Sequence, residues 1–254
     1  MHEQRLEELL PGGKGLWIPV DHGVSGWPER GLEDMEGLLP SLAAAGADAI
    51  IAHKGVVSRF SDQVNMLMHI SASTIHGGEH ASDKVLVGSA EEALARGALG
   101  VSVQVNLGDV HEHMMLQRLG TVSEDCHRLG LPLLGMIYPR GPGLQTTPEH
   151  ALPHCVRLAW ELGCDVIKTS WPEDPDVFKS MVWAAPIPIL IAGGPAEGNP
   201  RAVVEMVHAA LQAGGAGVCM GRQIFAGGDP IAMVRALKMI IHEGAGLAAA
   251  CEVL

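Results

Sequence analysis

The sequence predicts an α/β fold of the (β/α)8 TIM-barrel class, in one domain spanning residues 1–254. Two observations predict it: a unit of helix, glycine and short apolar strand recurs along the chain, and eight strand candidates occur within 254 residues. Alternating helices and buried strands are typical of a parallel sheet covered by helices. Eight such units close a barrel. An open, doubly wound sheet is the alternative architecture.

The repeated unit ends its helix at a glycine, which adopts the left-handed C-cap conformation at low cost. The strands that follow are short, continuous apolar runs, typical of strands buried on both faces. The unit occurs at 43–51, 94–103, 161–168 and 211–220, with proline-containing variants at 130–137 and 186–191. The strand candidates are 16–20, 48–52, 84–88, 100–105, 132–138, 165–169, 187–191 and 217–220.

Two stretches are less regular than the rest. Residues 89–96, between the third and fourth strand candidates, leave room for only a short helix. The segment 59–83 shows the weakest pattern of the chain, and we expect it to form a long active-site loop.

Composition and charge exclude several classes of protein. A net charge of -12 argues against a nucleic-acid surface, which needs a basic stripe. No apolar run reaches the length of a membrane span, and the charged N-terminus lacks a signal sequence, so we expect a cytoplasmic protein without a membrane partner. Five scattered cysteines without a CxxC pair predict neither a disulfide framework nor a zinc ribbon.

Lys168 is the sharpest functional signal. Barrel chemistry collects at the C-terminal ends of strands, and Lys168 follows Val166 and Ile167 in a buried strand. Its ammonium is therefore expected in the barrel mouth, where desolvation and nearby cations would lower its pKa and leave an amine that attacks a carbonyl. The alternative is a structural lysine paired with Asp21.

Other strand ends carry groups that fit proton transfer or substrate binding. Tyr138, the single tyrosine of the chain, and Asp21 are candidates for acid–base catalysis. Their alternative roles are packing at the barrel rim for Tyr138 and capping for Asp21. His22, His53 and Lys54 also follow strands and are weaker candidates for substrate binding.

Glycine pairs follow the last two strands. The loops after strands seven and eight of many barrels bind phosphate through backbone N–H groups. Gly193, Gly194 and Gly221 would allow this close approach, and Arg222 would add a guanidinium. Residues 221–225 are expected to supply a short helix.

These motifs together resemble the DhnA-type class I aldolase family. Met136 and Ile137 before Tyr138 resemble its heptulosonate-forming synthases more than its sugar bisphosphate aldolases. The resemblance runs from Ile18 to His242. The segments that carry it are 21–23, 53–55, 138–141, 166–169, 191–195 and 221–225.

The resemblance implies a Schiff base on Lys168, proton transfer by Tyr138 and Asp21, and a phosphate site at Gly193, Gly194, Gly221 and Arg222. It also implies a phosphorylated ketose or dihydroxyacetone phosphate as donor, L-aspartate semialdehyde as acceptor, a homo-oligomer, and neither cofactor nor metal.

The chain departs from the family at three places. Trp171 replaces a tyrosine that often follows the lysine. Ala196 replaces a lysine that commonly follows the Gly-Gly-Pro segment, and residues 73–80 differ from the usual loop. These departures affect the choice of substrate more than the reaction class.

Three other functions stay open. Fructose-1,6-bisphosphate aldolase would need a second phosphate site, to which Lys54, Arg59 and Arg140 could contribute. A metal-dependent aldolase would draw on His69, His76 and His80, although their spacing fits no compact zinc signature. A non-catalytic barrel that binds a phosphorylated ligand is the third.

Overall fold

A computed structural model describes residues 1–194 and 199–254, in which eight parallel strands close into a barrel. The predicted (β/α)8 fold is therefore confirmed. The last barrel strand pairs with the first through Gly217 and Gly15. In chain order the strands are β1 (Gly15–Pro19), β2 (Ala49–Ala52), β3 (Met66–His69), β4 (Ser71–Ala72), β5 (Val85–Leu86), β6 (Gly100–Leu107), β7 (Leu133–Pro139), β8 (Val166–Ser170), β9 (Ile189–Ala192) and β10 (Gly217–Cys219), of which β4 and β5 form a separate antiparallel pair.

Most of the helices cover the outside of the barrel. Their ends are set by capping side chains and by glycines. Ser89 and Asp229 accept backbone N–H bonds at two helix starts, and Gly46 and Gly130 end two helices in the left-handed conformation. The helices are α1 (His2–Leu9), α2 (His22–Ser25), α3 (Met35–Ala45), α4 (Lys54–Phe60), α5 (Ala90–Ala95), α6 (Glu112–Leu129), α7 (Leu152–Glu161), α8 (Pro175–Ala184), α9 (Pro200–Gln212), α10 (Arg222–Phe225), α11 (Pro230–Ile241) and α12 (Leu247–Cys251).

The core has two layers. One lies between strands and helices, and the other fills the barrel itself with inward-facing residues that include Trp17, Leu67, Leu134 and Leu190. The indole Nε1 of Trp17 donates to the backbone oxygen of Leu9 over 2.6 Å, so α1 is fastened beneath the barrel. The N-terminal end is thus packed shut, and the C-terminal end remains for a site.

The predicted third strand was wrong. The barrel strand is Met66–His69, inside the segment expected to be a loop, whereas residues 84–88 supply only the two-residue β5. Valines at 85 and 87 make that run strand-like, but both are more than one-third exposed. Met66–His69 is buried throughout, yet methionine gives no β-branched signal. Burial between β2 and β6 therefore decided which segment joins the barrel.

The remainder of that segment forms a loop over the C-terminal end of the barrel. Ile75, inside this segment, and Lys84, directly after it, line a cavity there, as expected for an active-site loop. Within the described ranges, 1–194 and 199–254, no helix is long and apolar enough to cross a membrane.

Candidate active site

Lys168 lies inside the barrel at the level where the strands end. Its Cα is paired with Met136 on β7 and with Leu190 on β9. The residue is 8% exposed. Its ammonium lies beside the phenol of Tyr138 on β7 and the thiol of Cys219 on β10, and both groups influence its pKa.

Asp21 and three histidines lie next to this lysine. The Asp21 carboxylate follows β1, and its oxygens are 3.8 Å from His22 Nδ1 and 3.8 Å from His69 Nε2. His69 Nδ1 is 2.8 Å from the hydroxyl of Ser102. His53 approaches from behind, with its Nδ1 3.0 Å from the backbone oxygen of His69. The histidines are thus near neighbours of Asp21, without a hydrogen bond to its carboxylate within the described residues.

The charges of this cluster follow from burial and neighbours. Burial raises the pKa of Asp21, but the nearby His69, His22 and Lys168 together lower it by more, so that the pKa is about 2. Burial lowers the pKa of His69 to about 4 despite the nearby Asp21. The pKa values of His22 and His53 are lowered by burial as well. At neutral pH Asp21 is therefore an anion among neutral imidazoles.

The expected lowering of the Lys168 pKa was wrong. Burial does lower it, but Cys219, Tyr138 and Asp21 raise it more, so the pKa lies above the usual lysine range. The sequence could not indicate the raised pKa, because Cys219 lies on β10, far from Lys168 along the chain. The substrate-free protein holds an ammonium, and its proton has to leave before the nitrogen can attack a carbonyl.

Tyr138 carries a protonated phenol inside the barrel mouth. Burial raises its pKa, an effect that Lys168 and Arg140 reduce only in part, so the phenol stays protonated at neutral pH. The Arg140 guanidinium carbon lies 4.0 Å from the centre of the Tyr138 ring. This cation–π contact fixes the ring against the barrel rim.

The cluster opens into a cavity of about 330 Å3 at the C-terminal end of the barrel. Asp21, His22, Tyr138 and Lys168 line its inner part. A larger depression of about 440 Å3 beside His2 lies at the other end of the barrel, where residues serve stability rather than chemistry.

One side of the cavity has the features of an anion site. Gly193, Gly194, Gly221 and Arg222 line it together, as the sequence predicted. A Cβ on Gly221 would lie 2.6 Å from His22 Cε1 and 2.6 Å from the backbone oxygen of Pro19, so only glycine fits. Among the residues that the structure describes, the buried Nε of Arg222 has no hydrogen-bond partner. A bound anion would satisfy it.

Two further cations, Lys84 and Arg140, line the same cavity. The pKa of Lys84 is lowered, mainly by burial and in addition by the positive charge of Arg140. The Lys84 ammonium donates to Ser73 Oγ over 2.7 Å. Sequence analysis named Arg140 but missed Lys84, because residues 84–88 were interpreted as a barrel strand.

Some predicted residues lie elsewhere. Lys54, the first residue of α4, forms an ion pair with Glu92 at 2.8 Å, and Arg59 pairs with Glu36 at 2.9 Å, both on the outside of the barrel. His53 supports His69 from behind. Trp171 packs against Phe178, with ring centres 4.8 Å apart. Pro195 and Ala196 lie outside the described residues.

Sequence analysis also missed roles for His69, Gln104 and Cys219. His69 ends the unrecognised third strand, and Gln104 lines the cavity from β6. His69 was considered only with His76 and His80 as a metal ligand. The three do not converge, since His69 is buried beside Asp21 whereas His76 and His80 are exposed. Locating β3 correctly would have placed His69 at a strand end.

Comparison with known proteins agrees with this geometry. Residues 16–227 match the model of the DeoC/LacD family of aldolases. The chain is 36% identical to 2-amino-3,7-dideoxy-D-threo-hept-6-ulosonate synthase of Halobacterium salinarum, over 95% of this chain and 91% of that protein. It is also 36% identical to 2-amino-4,5-dihydroxy-6-oxo-7-(phosphonooxy)heptanoate synthase of Streptomyces griseus, over 89% of this chain and 84% of that protein.

A solved structure is similar throughout. It is an archaeal fructose-1,6-bisphosphate aldolase with its catalytic lysine covalently bound to the carbinolamine intermediate of the substrate. The TM-score is 0.85 at 26% identity, and the match covers 95% of this chain and 99% of that one.

Proposed function

The chain belongs to the DeoC/LacD family of aldolases, and from this premise we infer that Lys168 is the nucleophile of a class I, Schiff-base reaction. The observation that carries the proposal is a single buried lysine held between Tyr138 and Cys219 beside the Asp21 carboxylate. A lysine in that position attacks a ketone, and the iminium that follows withdraws electrons from the adjacent carbon.

The reaction is an aldol addition through a Schiff base. The Lys168 ammonium loses a proton, and the nitrogen adds to the C2 carbonyl of the donor to give a carbinolamine. Protonation and loss of its hydroxyl as water gives the iminium. With dihydroxyacetone phosphate, loss of a C3 proton gives an enamine; with a ketose, the C3–C4 bond breaks, the C4 hydroxyl loses its proton and the aldehyde fragment leaves, which gives the same enamine. Its C3 then attacks the aldehyde carbon of the acceptor. The new alkoxide takes a proton, and water releases the product from Lys168. We assign these proton transfers to Tyr138 and Asp21.

We propose that the donor is a phosphorylated ketose or dihydroxyacetone phosphate. Its phosphate would bind Gly193, Gly194, Gly221 and the Arg222 Nε, which has no partner among the described residues. Such binding holds the ketone near Lys168, so that contacts remote from the reacting carbons lower the barrier. His22, which also lines this cavity, is placed to contact the donor.

We propose L-aspartate semialdehyde as the acceptor. Lys84 and Arg140 also line the cavity and could bind the α-carboxylate of this aldehyde, although the same cations would suit a second phosphate, so the preference rests on the relatives. The two synthases at 36% identity are named for amino-substituted seven-carbon carboxylates, whereas the class 1 fructose-bisphosphate aldolase of Thermoproteus tenax is 30% identical. Glyceraldehyde 3-phosphate, which would make the chain a fructose-bisphosphate aldolase, is the disfavoured acceptor.

A parallel assay distinguishes the acceptors. Purified protein with dihydroxyacetone phosphate is offered L-aspartate semialdehyde or glyceraldehyde 3-phosphate, and products are identified by mass spectrometry. We expect a kcat/KM at least about tenfold higher with the semialdehyde. A preference for glyceraldehyde 3-phosphate would overturn the acceptor assignment. Fructose 1,6-bisphosphate as donor, tested with each acceptor, shows whether the enzyme acts as a transaldolase-type transferase.

We also propose that the chain forms a homo-oligomer. Trp183 on α8 is 91% exposed and Trp160 on the neighbouring α7 is 39% exposed, an apolar surface that association would cover. Light scattering coupled to gel filtration measures the mass directly. A monomer at micromolar concentration would contradict this proposal.

A further inference from the structure

Three side chains of metal-ligand type meet outside the active-site cavity. His80 and Asp83 lie on the loop between β4 and β5, and His111 immediately precedes α6. Each offers one ligand atom, and these atoms all lie within 4.8 Å of one another. The two imidazole rings are 5.2 Å apart at an interplanar angle of 34°. Segments distant in sequence are thus brought to one point.

The chemistry of this group selects a class of ion. Two imidazoles and one carboxylate suit Zn²⁺ and other first-row divalent ions, whereas Mg²⁺ and Ca²⁺ prefer oxygen ligands. Ligand atoms around tetrahedral zinc lie about 3.4 Å apart, given metal–ligand distances of about 2.1 Å. The ligand atoms therefore have to approach one another by up to about 1.4 Å. His80 is exposed, so its side chain has room to rotate. Water would complete the coordination.

The surroundings hold the carboxylate in position. Arg118 on α6 donates to Asp83 Oδ1 and also to the backbone oxygen of Lys84, over 2.9 Å in the second case. A carboxylate has two oxygens, so Asp83 can accept from Arg118 and still bind a metal. The backbone N–H of His111 donates to Asp109 Oδ1 over 2.8 Å, which fixes the other segment. Supporting contacts of this kind orient metal ligands.

We propose that His80, Asp83 and His111 bind a divalent first-row transition ion that joins the loop of residues 73–84 to the start of α6. The same loop supplies Ile75 and Lys84 to the cavity, and the backbone oxygen of Ser82 accepts from Asn106 Nδ2 over 2.7 Å. The ion stabilises this wall without contacting the reacting atoms. The inference is independent of the proposed aldol mechanism.

The test measures Zn²⁺ binding by isothermal titration on chelator-stripped protein and thermal unfolding with and without Zn²⁺. His80→Gln and His111→Gln remove one ligand each. His76→Gln and His113→Gln are matched controls, one exposed histidine from each segment outside the group. We expect one ion per chain, with affinity reduced about tenfold or more in the ligand variants and changed by less than about twofold in the controls.

Unfolding provides a second readout that separates binding at this site from binding elsewhere. Zn²⁺ should raise the unfolding midpoint of the wild type and controls by at least about 2 °C, and leave the ligand variants unchanged. Equal Zn²⁺ affinity in all five proteins would place the ion elsewhere and overturn the proposal. So would the lack of a Zn²⁺-dependent shift in the wild type.

Discussion

Tyr138 and Lys168 lie on the paired strands β7 and β8, and both side chains line the same cavity at the barrel mouth. The Cα register pairs Lys168 with Met136, so Tyr138 is two residues further along β7 and faces the same interior. In the proposed mechanism, this protonated phenol next to the Lys168 nitrogen would donate to the carbinolamine oxygen that leaves as water. This relationship links strand register to catalysis.

Tyr138→Phe tests that link. The variant keeps the ring packed under Arg140 and removes only the hydroxyl. We expect kcat to fall by about 10²- to 10⁴-fold, the usual contribution of a positioned acid, while KM for the donor changes little. Steady-state kinetics measure both. A kcat within a few-fold of wild type would assign the proton transfer to another group.

Asp21→Asn tests the charge balance around Lys168. Asp21 raises the pKa of Lys168, so removing its negative charge lowers that pKa. The pH profile for Schiff-base formation, which rises as the ammonium loses its proton, should therefore move to lower pH. Its rate is measured by single-turnover trapping across a pH series. A profile that stays in place would show that Asp21 does not govern this pKa, whatever happens to kcat.

Arg222→Gln tests the phosphate site. The substitution removes the guanidinium whose buried Nε lacks a partner within the described residues. We expect KM for dihydroxyacetone phosphate to rise by about 10- to 100-fold, since a charge-assisted contact is lost. Dihydroxyacetone without phosphate is the control substrate, and its weak turnover should be unaffected. Equal losses with both substrates would indicate a general structural defect.

The stability of the fold should decline with acid in a window set by His69. Its pKa is about 4 in the folded protein, below the ordinary histidine value of 6.5. Between these two values the unfolded chain binds a proton at His69 and the folded chain does not. The free energy of unfolding is therefore unaffected by the protonation of this histidine above pH 6.5 and falls as the pH is lowered towards 4. The loss is on the order of 3 kcal/mol, since one pKa unit corresponds to about 1.4 kcal/mol. Urea unfolding of wild type and His69→Gln should show a shallower decline in the variant, and identical slopes would contradict the assignment.

The sequence predicted seven of the eight barrel strands because they are apolar runs, six of which follow a helix-ending glycine or a proline. It failed at β3, where Met66–His69 carries no β-branched residue and the exposed valines at 85 and 87 gave a stronger local signal. Which of two candidates enters a barrel depends on neighbours that only the folded chain supplies.

The site was predictable to the extent that strand ends determine it. Lys168, Tyr138 and Asp21 were found because each directly ends or follows a predicted strand. Lys54 was misplaced because α4 begins there and turns its side chain outward to Glu92. The direction of the Lys168 pKa shift was missed because it depends on Cys219 and Asp21, which lie far away in sequence.

Trapping with borohydride tests the central assignment most directly. The protein is incubated with dihydroxyacetone phosphate, reduced with sodium borohydride, digested and mapped by mass spectrometry, with Lys168→Met as the control. The account predicts a stable adduct on the peptide that contains Lys168, no adduct in the variant, and loss of activity in proportion to labelling. An active preparation that yields no adduct at Lys168, or one that labels another lysine, would contradict it.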